Sequence, residues 1–375
     1  MSSDEVLVFL RQSSEERPLK IYIFRAVADD YQLTARIDGS GTSIHSILYS
    51  DMDSDGIQEL IISWSVSAEV QAVGVYALES PEPVQLMSTP YARYEVVDLD
   101  GDGRQELVVL RSDDAETGGS LADYYDWDNG SLQLQSTARL STTVAALQWA
   151  YVGTLQSGER AVFVTGRVTG ADETPQAITD ILVCRQSVLE NIVLSDDTGV
   201  STQIFRASSL QPADINGDGA TEVPAPAELR TGNEDEVYWK IYWYGYSIDG
   251  TGQAKVLTYH NLTDNWYMLI PDRWDGHFTV RQSNTSATVH STTFYAFDGL
   301  SAGSELFTIY TLTGTDRESQ AAKGGRVILR RRTSPDAVYA ISYSAAYDEW
   351  NRMVPREMVE SSFQPIITQW SMGEN

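Results

Sequence analysis

Acidic residues alternate over a nine-residue stretch in the first third of the chain. Asp98, Asp100 and Asp102 occupy its first, third and fifth positions, and Glu106 occupies the ninth. Calcium takes about six to eight oxygen ligands, many of them from carboxylates, so alternate acidic residues in one tight turn suit it. Gly103 would supply the positive φ that lets the backbone fold around an ion. The stretch therefore predicts a calcium loop.

The same pattern occurs twice more, beginning at Asp51 and at Asp214. Position seven is Ile57, Arg104 and Ala220 in the three copies, as expected if only its backbone carbonyl binds the ion. Three copies favour a calcium site over the alternative, an acidic hairpin turn in solvent. An EF-hand is disfavoured, because its bidentate glutamate lies at position twelve and helices flank its loop. Here β-rich runs flank each loop.

The chain around these loops repeats with a period of about fifty residues, close to that of four-stranded propeller blades. Counting degenerate copies, the repeats are anchored at positions 2, 56, 103, 158, 219, 276 and 325. Within a unit, β-rich runs alternate with turn residues, as in Ile47–Ser50, Leu60–Trp64, Val73–Leu78 and Val84–Met87. The predicted fold is all-β, a β-propeller of about seven four-stranded blades, with six blades as the alternative.

We expect the propeller to span residues 1–350 and a capping segment to span residues 351–375. The first blade is expected to be truncated at its N-terminus, because Ser2 stands where a loop glycine would lie. In the capping segment, apolar residues follow at roughly helical spacing, which predicts a short helix that Pro365 interrupts. These residues are Met358, Phe363, Ile366, Ile367 and Trp370.

Composition excludes several classes of partner. The chain has 26 Lys and Arg against 53 Asp and Glu, a net charge of −27, which argues against nucleic acid and against anionic membrane surfaces. A single cysteine, Cys184, excludes an intrachain disulfide framework and a cysteine zinc site, and it is predicted to be a buried core thiol. No apolar run is long enough for a membrane span. The opening residues show no signal-peptide pattern, which leaves the compartment open.

The acidic loops resemble the calcium-binding repeats of the FG-GAP and VCBS class, which build the β-propellers of integrin α-subunit heads and many exported bacterial proteins. The likeness rests on the three Asp-x-Asp/Asn-x-Asp-Gly-x-x-Glu loops and the strands after them. In that class the loop joins the first two strands of a blade, and its ligands come from positions one, three, five, seven and nine. The resemblance implies these ligands: Asp51, Asp53, Asp55, Ile57 and Glu59; Asp98, Asp100, Asp102, Arg104 and Glu106; Asp214, Asn216, Asp218, Ala220 and Glu222.

The end of the chain, from Phe363 to Trp370, is similar to the tail of exported bacterial lipoproteins that carry such repeats. This resemblance implies export or cell-surface anchoring, and hence an extracellular or cell-surface location. It does not imply one activity, because one fold hosts many functions.

Other patterns have simpler explanations than chemistry. Gly299–Gly303 spells the Gly-x-Ser-x-Gly nucleophile elbow, which requires a helix after it, but Leu306–Tyr310 reads as a strand and favours a hairpin. Tyr238–Tyr246 is a dense aromatic run that could stack on sugars, although a half-buried strand explains it more simply. Val223–Pro226 contains two prolines, which cannot donate ladder hydrogen bonds and predict an edge strand, a bulge or a loop.

The predicted function is that of a non-enzymatic, calcium-stabilised binding or interaction module of an exported or cell-surface protein, with an unknown protein or glycan ligand. The alternative is a carbohydrate-binding or polysaccharide-cleaving propeller. The ions are expected to be structural, because no nucleophile, base or histidine cluster adjoins the loops. The third site is expected to be the weakest, because Asn216 replaces an acid there and calcium affinity depends partly on ligand charge.

Overall fold

The chain is all-β, as predicted. The computed structural model describes residues 5–12, 17–39, 41–67, 70–78, 82–114, 119–142, 144, 146–169, 175–201, 206–207, 210–233, 236–333 and 336–366. These residues form six antiparallel sheets and three short helices. The chain divides into two compact units, Met1–Phe205 with Ile248–Gly250, and Arg206–Ser247 with Thr251–Asn375. The anchor at Ser2 lies outside the described residues.

The first unit contains four sheets in which strands that follow one another in the chain are paired. The first sheet holds β1 (Glu5–Arg11), β2 (Leu19–Val27) and β3 (Asp30–Asp38). The second holds β4 (Ser43–Ser50), β5 (Glu59–Ser65), β6 (Gln71–Ala77) and β7 (Val84–Tyr91). The third holds β8 (Arg93–Val97), β9 (Glu106–Asp114), β10 (Gly119–Asp128) and β11 (Ser131–Arg139). The fourth includes β12 (Ala146–Thr154), β13 (Arg160–Thr169), β14 (Pro175–Arg185) and β15 (Val188–Asn191).

Sheets of the first unit stack face to face in chain order, and β9 shows why. Its residues Leu107 and Val109 join a core shared with the second sheet, whereas Val108 and Leu110 join a core shared with the fourth. Successive side chains of a strand point to opposite faces, so a strand buried on both faces reads as a continuous apolar run. This is why Leu107–Leu110 of β9 reads as an unbroken apolar run.

The second unit contains two sheets and all three helices. The fifth sheet holds β17 (Glu222–Leu229), β18 (Tyr238–Tyr246), β19 (Gly252–Asn261), β20 (Trp266–Ile270) and β26 (Phe363–Pro365). The sixth holds, in spatial order, β21 (Phe278–Ser286), β22 (Val289–Phe297), β23 (Ala302–Leu312), β25 (Asp336–Tyr343) and β24 (Val327–Thr333). The remaining elements are β16 (Arg206–Ala207), α1 (Arg317–Ala321), α2 (Ala345–Glu349), α3 (Arg356–Ser361) and a 3₁₀ turn at Asp272–Trp274.

The proline-containing strand lies where its sequence predicts. β17, which contains Pro224 and Pro226, is the edge strand of the fifth sheet and pairs with β18 along its length. An edge position tolerates prolines because one side of the strand needs no ladder donors.

The described residues form six sheets, which is the alternative number and not seven, because the last degenerate repeat does not start a sheet of its own. The segment at Gly276 links β20 of one sheet to β21 of the next, instead of joining two strands of one sheet. After Gly325, β24 pairs with β25, which pairs with β23 and so extends the sixth sheet. Val338 and Ala340 of β25 are buried against this sheet and α1, so apolar burial holds the extra strands there.

The capping segment is only partly helical. α3 ends at Ser361, and the chain continues as β26, which pairs with β20. Phe363 is fully buried and its ring lies 5.5 Å from that of Trp266 and 5.2 Å from that of Tyr339, so aromatic packing overrides the helical spacing. The predicted positions Ile367 and Trp370 lie outside the described residues. No helix in the described part of the chain is long and apolar enough to cross a membrane.

Candidate metal centres

Each acidic loop closes a hairpin, and its ninth-position glutamate forms the first residue pair of the hairpin. These pairs are Ser50 with Glu59, Val97 with Glu106, and Ala213 with Glu222. All three glutamates start a strand and are at most 1% exposed. Each loop is therefore followed directly by a strand that begins with a buried glutamate.

The backbone of the loops follows one hydrogen-bonding scheme. In the second loop the N–H of Leu99 donates to Glu106 Oε2 at 2.7 Å, and the N–H of Gly103 donates to Asp98 Oδ2 at 3.1 Å. The other loops repeat both bonds: Met52 to Glu59 and Gly56 to Asp51, then Ile215 to Glu222 and Gly219 to Asp214. The position-two residue is apolar and buried in every copy. The sequence analysis did not predict a role for position two, although all three copies have an apolar residue there.

Positive backbone angles occur at two positions of each loop. The sixth-position glycines, Gly56, Gly103 and Gly219, have φ of 88°, 93° and 90°, as predicted. The fourth position is also left-handed, at Ser54, Gly101 and Gly217, with φ of 61°, 80° and 77°. Only Ser54 adopts this conformation with a side chain, which L-residues normally avoid.

The second loop brings its four acidic residues together. One carboxylate oxygen from each of Asp98, Asp100, Asp102 and Glu106 lies within 4.8 Å of the others. Four such oxygens around one point supply most of the carboxylate ligands that calcium uses. The predicted acidic ligand set of this loop is therefore assembled in the structure.

The first loop assembles three of its four acids. Asp51, Asp53 and Glu59 form a similar group, whereas Asp55 lies outside it. Asp55 Oδ1 instead accepts the N–H of Ile57 at 2.7 Å. A bound ion would need Asp55 to turn inward.

The third loop does not form such a group within the described residues. Its Asp218 carboxylate is engaged by the loop itself: Oδ2 accepts Asn216 Nδ2 at 3.0 Å, and Oδ1 accepts the Ala220 N–H at 2.9 Å. Asp214 accepts the N–H groups of Gly217 and Gly219. Sequence and geometry thus agree that this loop is the least prepared for a cation.

Buried oxygen atoms without donors test whether the loops fit a cation. Glu106 Oε1 and Asp51 Oδ1 are both buried, and neither has a hydrogen-bond partner among the described residues. An unsatisfied buried acceptor is costly, and more so when it is charged. A hard cation would satisfy both atoms, so these loops fit calcium.

Electrostatics point the same way. Burial, with smaller contributions from neighbouring loop carboxylates, raises the pKa of Glu59 to about 7, of Glu106 to about 8 and of Glu222 to about 7. Burial also raises the pKa of Asp53 and of Asp100. Three loops therefore hold buried carboxylates whose negative charge is unfavourable without a nearby positive charge.

Arg104 contributes more than the backbone carbonyl predicted for position seven. Its guanidinium donates to Asp102 Oδ2 from Nε at 2.8 Å and from Nη2 at 2.5 Å, which holds the pKa of Asp102 below its usual range. It also lies 3.8 Å from Asp126 of β10, a buried fifth acid that sequence spacing could not place. The second loop therefore carries its own partial counter-charge.

A hydrogen bond joins the first two loops. Ser54 Oγ donates to the backbone carbonyl of Gly103 at 2.9 Å. Ser54 lies between Asp53 and Asp55, and the acceptor lies between Asp102 and the position-seven residue. The bond therefore connects the ligand-bearing turns of two neighbouring sheets.

This bond explains why a serine is tolerated in a left-handed position. It predicts different stabilities for two substitutions of Ser54. Ser54→Ala keeps the backbone cost and loses the bond, so it should destabilise the protein by about 0.5–1 kcal/mol. Ser54→Gly loses the bond but relieves a backbone cost of about 1 kcal/mol, so it should melt close to wild type. Thermal melts in calcium compare the two. A melting temperature of Ser54→Ala equal to that of wild type would show that the hydroxyl bond contributes nothing.

The remaining candidate residues show no assembled chemistry. Ser301 lies in the turn between β22 and β23, which confirms the hairpin and leaves the nucleophile elbow without its helix. Trp243 and Tyr246 of β18 are buried, which confirms the half-buried strand, while Trp239 is 53% exposed. Cys184 is half-buried, not buried as predicted, because it lines a surface cleft beside the second loop.

The fold and these loops define an all-β protein whose hairpin loops are suited to a hard cation. No family model matches the chain, and no curated protein matches it. Among solved structures, a rhamnogalacturonan lyase from Bacillus licheniformis aligns over 91% of this chain and 85% of its own, with 10% identity and a TM-score of 0.35. A proposed 6-phosphogluconolactonase from Bacteroides uniformis aligns over 84% of this chain and 85% of its own, with 13% identity and a TM-score of 0.31. At these scores neither similarity carries an argument about function.

Proposed function

We propose that the protein is a non-enzymatic binding module stabilised by calcium in its acidic loops. The observation that carries the proposal is the second loop, where four carboxylate oxygens converge and a fully buried glutamate keeps one oxygen without a donor from the described residues. Asp98, Asp100, Asp102 and Glu106 would hold the ion, together with the Arg104 carbonyl. The ion would supply the positive charge that these buried carboxylates lack.

The proposed role of the ion is structural. It would fix the turn between two paired strands at the point where a buried glutamate begins the second strand. Asp51, Asp53 and Glu59 would hold a second ion in the same way. The Asp214 loop repeats the backbone scheme and would bind a third ion more weakly.

The same proposal includes a β-propeller fold, an extracellular or cell-surface location and a protein or glycan partner. A β-propeller of the FG-GAP and VCBS class is supported by the stacking of consecutive antiparallel sheets in the first unit and by the position of each loop between two paired strands. An extracellular or cell-surface protein would meet enough calcium to fill even weak sites of this kind, because extracellular modules bind it at about 10⁻⁴–10⁻³ M. The proposed partner is a protein or a glycan.

Calorimetric titration of chelator-stripped protein with calcium tests the proposal. Wild type should bind calcium, and the position-three variants Asp53→Ala, Asp100→Ala and Asn216→Ala should each remove heat from one site. The smallest loss is expected for Asn216→Ala, since that loop has the fewest acids and the least converged oxygens. Asn216→Asp should tighten the third site by restoring a carboxylate. Absence of calcium binding to wild type would refute the proposal.

Carbohydrate recognition is a second candidate, favoured by one observation. Trp239 on β18 leaves 53% of its surface exposed and lies opposite the exposed Glu228 in the strand register. An exposed indole beside a carboxylate can stack on a sugar ring while the acid accepts its hydroxyl groups. A glycan array probed with wild type and Trp239→Ala decides the matter: glycan signals lost in the variant would favour it, and silence would favour a protein partner.

A further inference from the structure

The second acidic loop forms one wall of a cleft of about 540 Å³. Asp98, Asp100 and Gln105 line it on the loop side, and Glu159, Arg160 and Cys184 line it on the side of the fourth sheet. Small-molecule sites occupy about 300–1,000 Å³ and place a few polar groups among apolar ones. Three valines of β8 and β12 supply the apolar part of this cleft. The cleft has the size of a binding site for one sugar-sized molecule.

Arg160 is the one cationic side chain among the lining residues. It is exposed at the start of β13, and its guanidinium makes no ion pair with any described residue. Six other arginines of the first unit form ion pairs with acidic residues, for example Arg111 with Asp123 at 2.6 Å. In a chain of net charge −27, an unpaired arginine in a cleft is available to an external anion.

The proposed ion would leave ligand positions open on this loop. Four carboxylates and one carbonyl supply five oxygens, whereas calcium takes about six to eight. Asp98 and Asp100 border the cleft directly. A ligand in the cleft therefore meets Arg160 on one wall and the cation-binding loop on the other.

We propose that this cleft binds a small hydroxylated carboxylate of sugar-acid size, with its carboxylate between Arg160 and the loop cation. Gln105 and Glu159 would take hydroxyl groups, and the valines would take the apolar face of the ring. This inference rests on the proposed calcium function and extends it, because the second loop then acts in binding as well as in folding. Cation and arginine together select an anionic ligand over a neutral one.

Cys184 provides a direct readout, because it lines the cleft and is the only cysteine of the chain. The experiment measures its alkylation by iodoacetamide at fixed pH and saturating calcium, with D-glucuronate as the probe and D-glucose as the neutral control. Glucuronate should slow alkylation and glucose should not. Chelation of calcium should remove the protection.

Variants separate this site from a general effect. Arg160→Ala should weaken glucuronate binding about tenfold or more, the loss typical of one charge-assisted hydrogen bond, while Arg160→Lys should lose less. The matched control is Arg11→Ala, which removes another exposed arginine of the same unit and should change nothing. Thermal melts confirm that each variant is folded.

The outcomes distinguish the two proposals. If calcium binds normally but glucuronate neither slows alkylation nor gives heat in calorimetry, the ligand site is refuted and the structural calcium sites stand. Equal protection of wild type and Arg160→Ala also refutes it. If calcium does not bind at all, both proposals fall together.

Discussion

In chelator, the melting temperature should fall as the pH rises from 6.5 to 8.5. The reason is that burial raises the pKa of Glu59, Glu106 and Glu222 to about 7–8, above the unfolded value of about 4.3. Their contribution to folding is fully favourable below the unfolded pKa and is lost as the pH rises through the folded pKa. Each pKa unit is worth about 1.4 kcal/mol, so three such residues make the effect large.

Calcium should make the melting temperature depend less on pH. A bound cation stabilises the charged carboxylates, which repel one another when calcium is removed. The window above pH 6.5 excludes a competing effect from His260, whose pKa burial lowers to about 3; that residue destabilises the fold only as the pH falls below the unfolded histidine value. Melts at several pH values in chelator and in excess calcium make the measurement. Parallel pH profiles in the two buffers would show that the glutamates do not face a cation.

The second large effect is expected for the stability of Glu106→Gln relative to wild type. It should have opposite signs in chelator and in calcium. In chelator at pH 8.5, above the Glu106 pKa of about 8, the variant removes a fully buried negative charge while its amide oxygen can still accept the Leu99 N–H, so stability should rise. In calcium it removes a ligand. A site occupied at a hundred times its dissociation constant contributes about 2.7 kcal/mol, and most of that increment should disappear.

Glu95→Gln is the matched control for this change of sign between chelator and calcium. Burial raises the pKa of Glu95 on β8 to about 7, yet Glu95 lies outside the acidic groups that could hold an ion. Its substitution should also stabilise the chelated protein, but it should leave the calcium increment unchanged. If both variants lost the same calcium increment, the effect would be one of general charge and not of coordination.

Much of the local structure could be predicted because it depends on residues close in sequence. Alternating acids, a glycine at position six and an apolar run after position nine lie within one hairpin, so their types report the turn and the strand directly. The edge position of β17 was one of the three alternatives predicted from two prolines that cannot donate hydrogen bonds.

What could not be predicted depends on partners far apart in sequence. The pairing of β25 with β23 is decided by burial of residues such as Val338, and no local pattern distinguishes that sheet extension from a new sheet. Arg104 was predicted to contribute only its backbone carbonyl. Its side-chain contacts with Asp102 and Asp126 depend on a direction that the sequence does not show. Cys184 sits in an apolar run, yet the neighbouring loop leaves a cleft over it.

The most direct test of the account is a thermal melt of wild type in chelator and in millimolar calcium, repeated on Asp100→Ala. Asp100 belongs to the converged oxygens of the second loop, so its removal should abolish one site and leave the others. If calcium stabilises the loops, wild type should melt at a higher temperature in calcium than in chelator, and Asp100→Ala should show a smaller increase. Identical wild-type melting temperatures in the two buffers would contradict it.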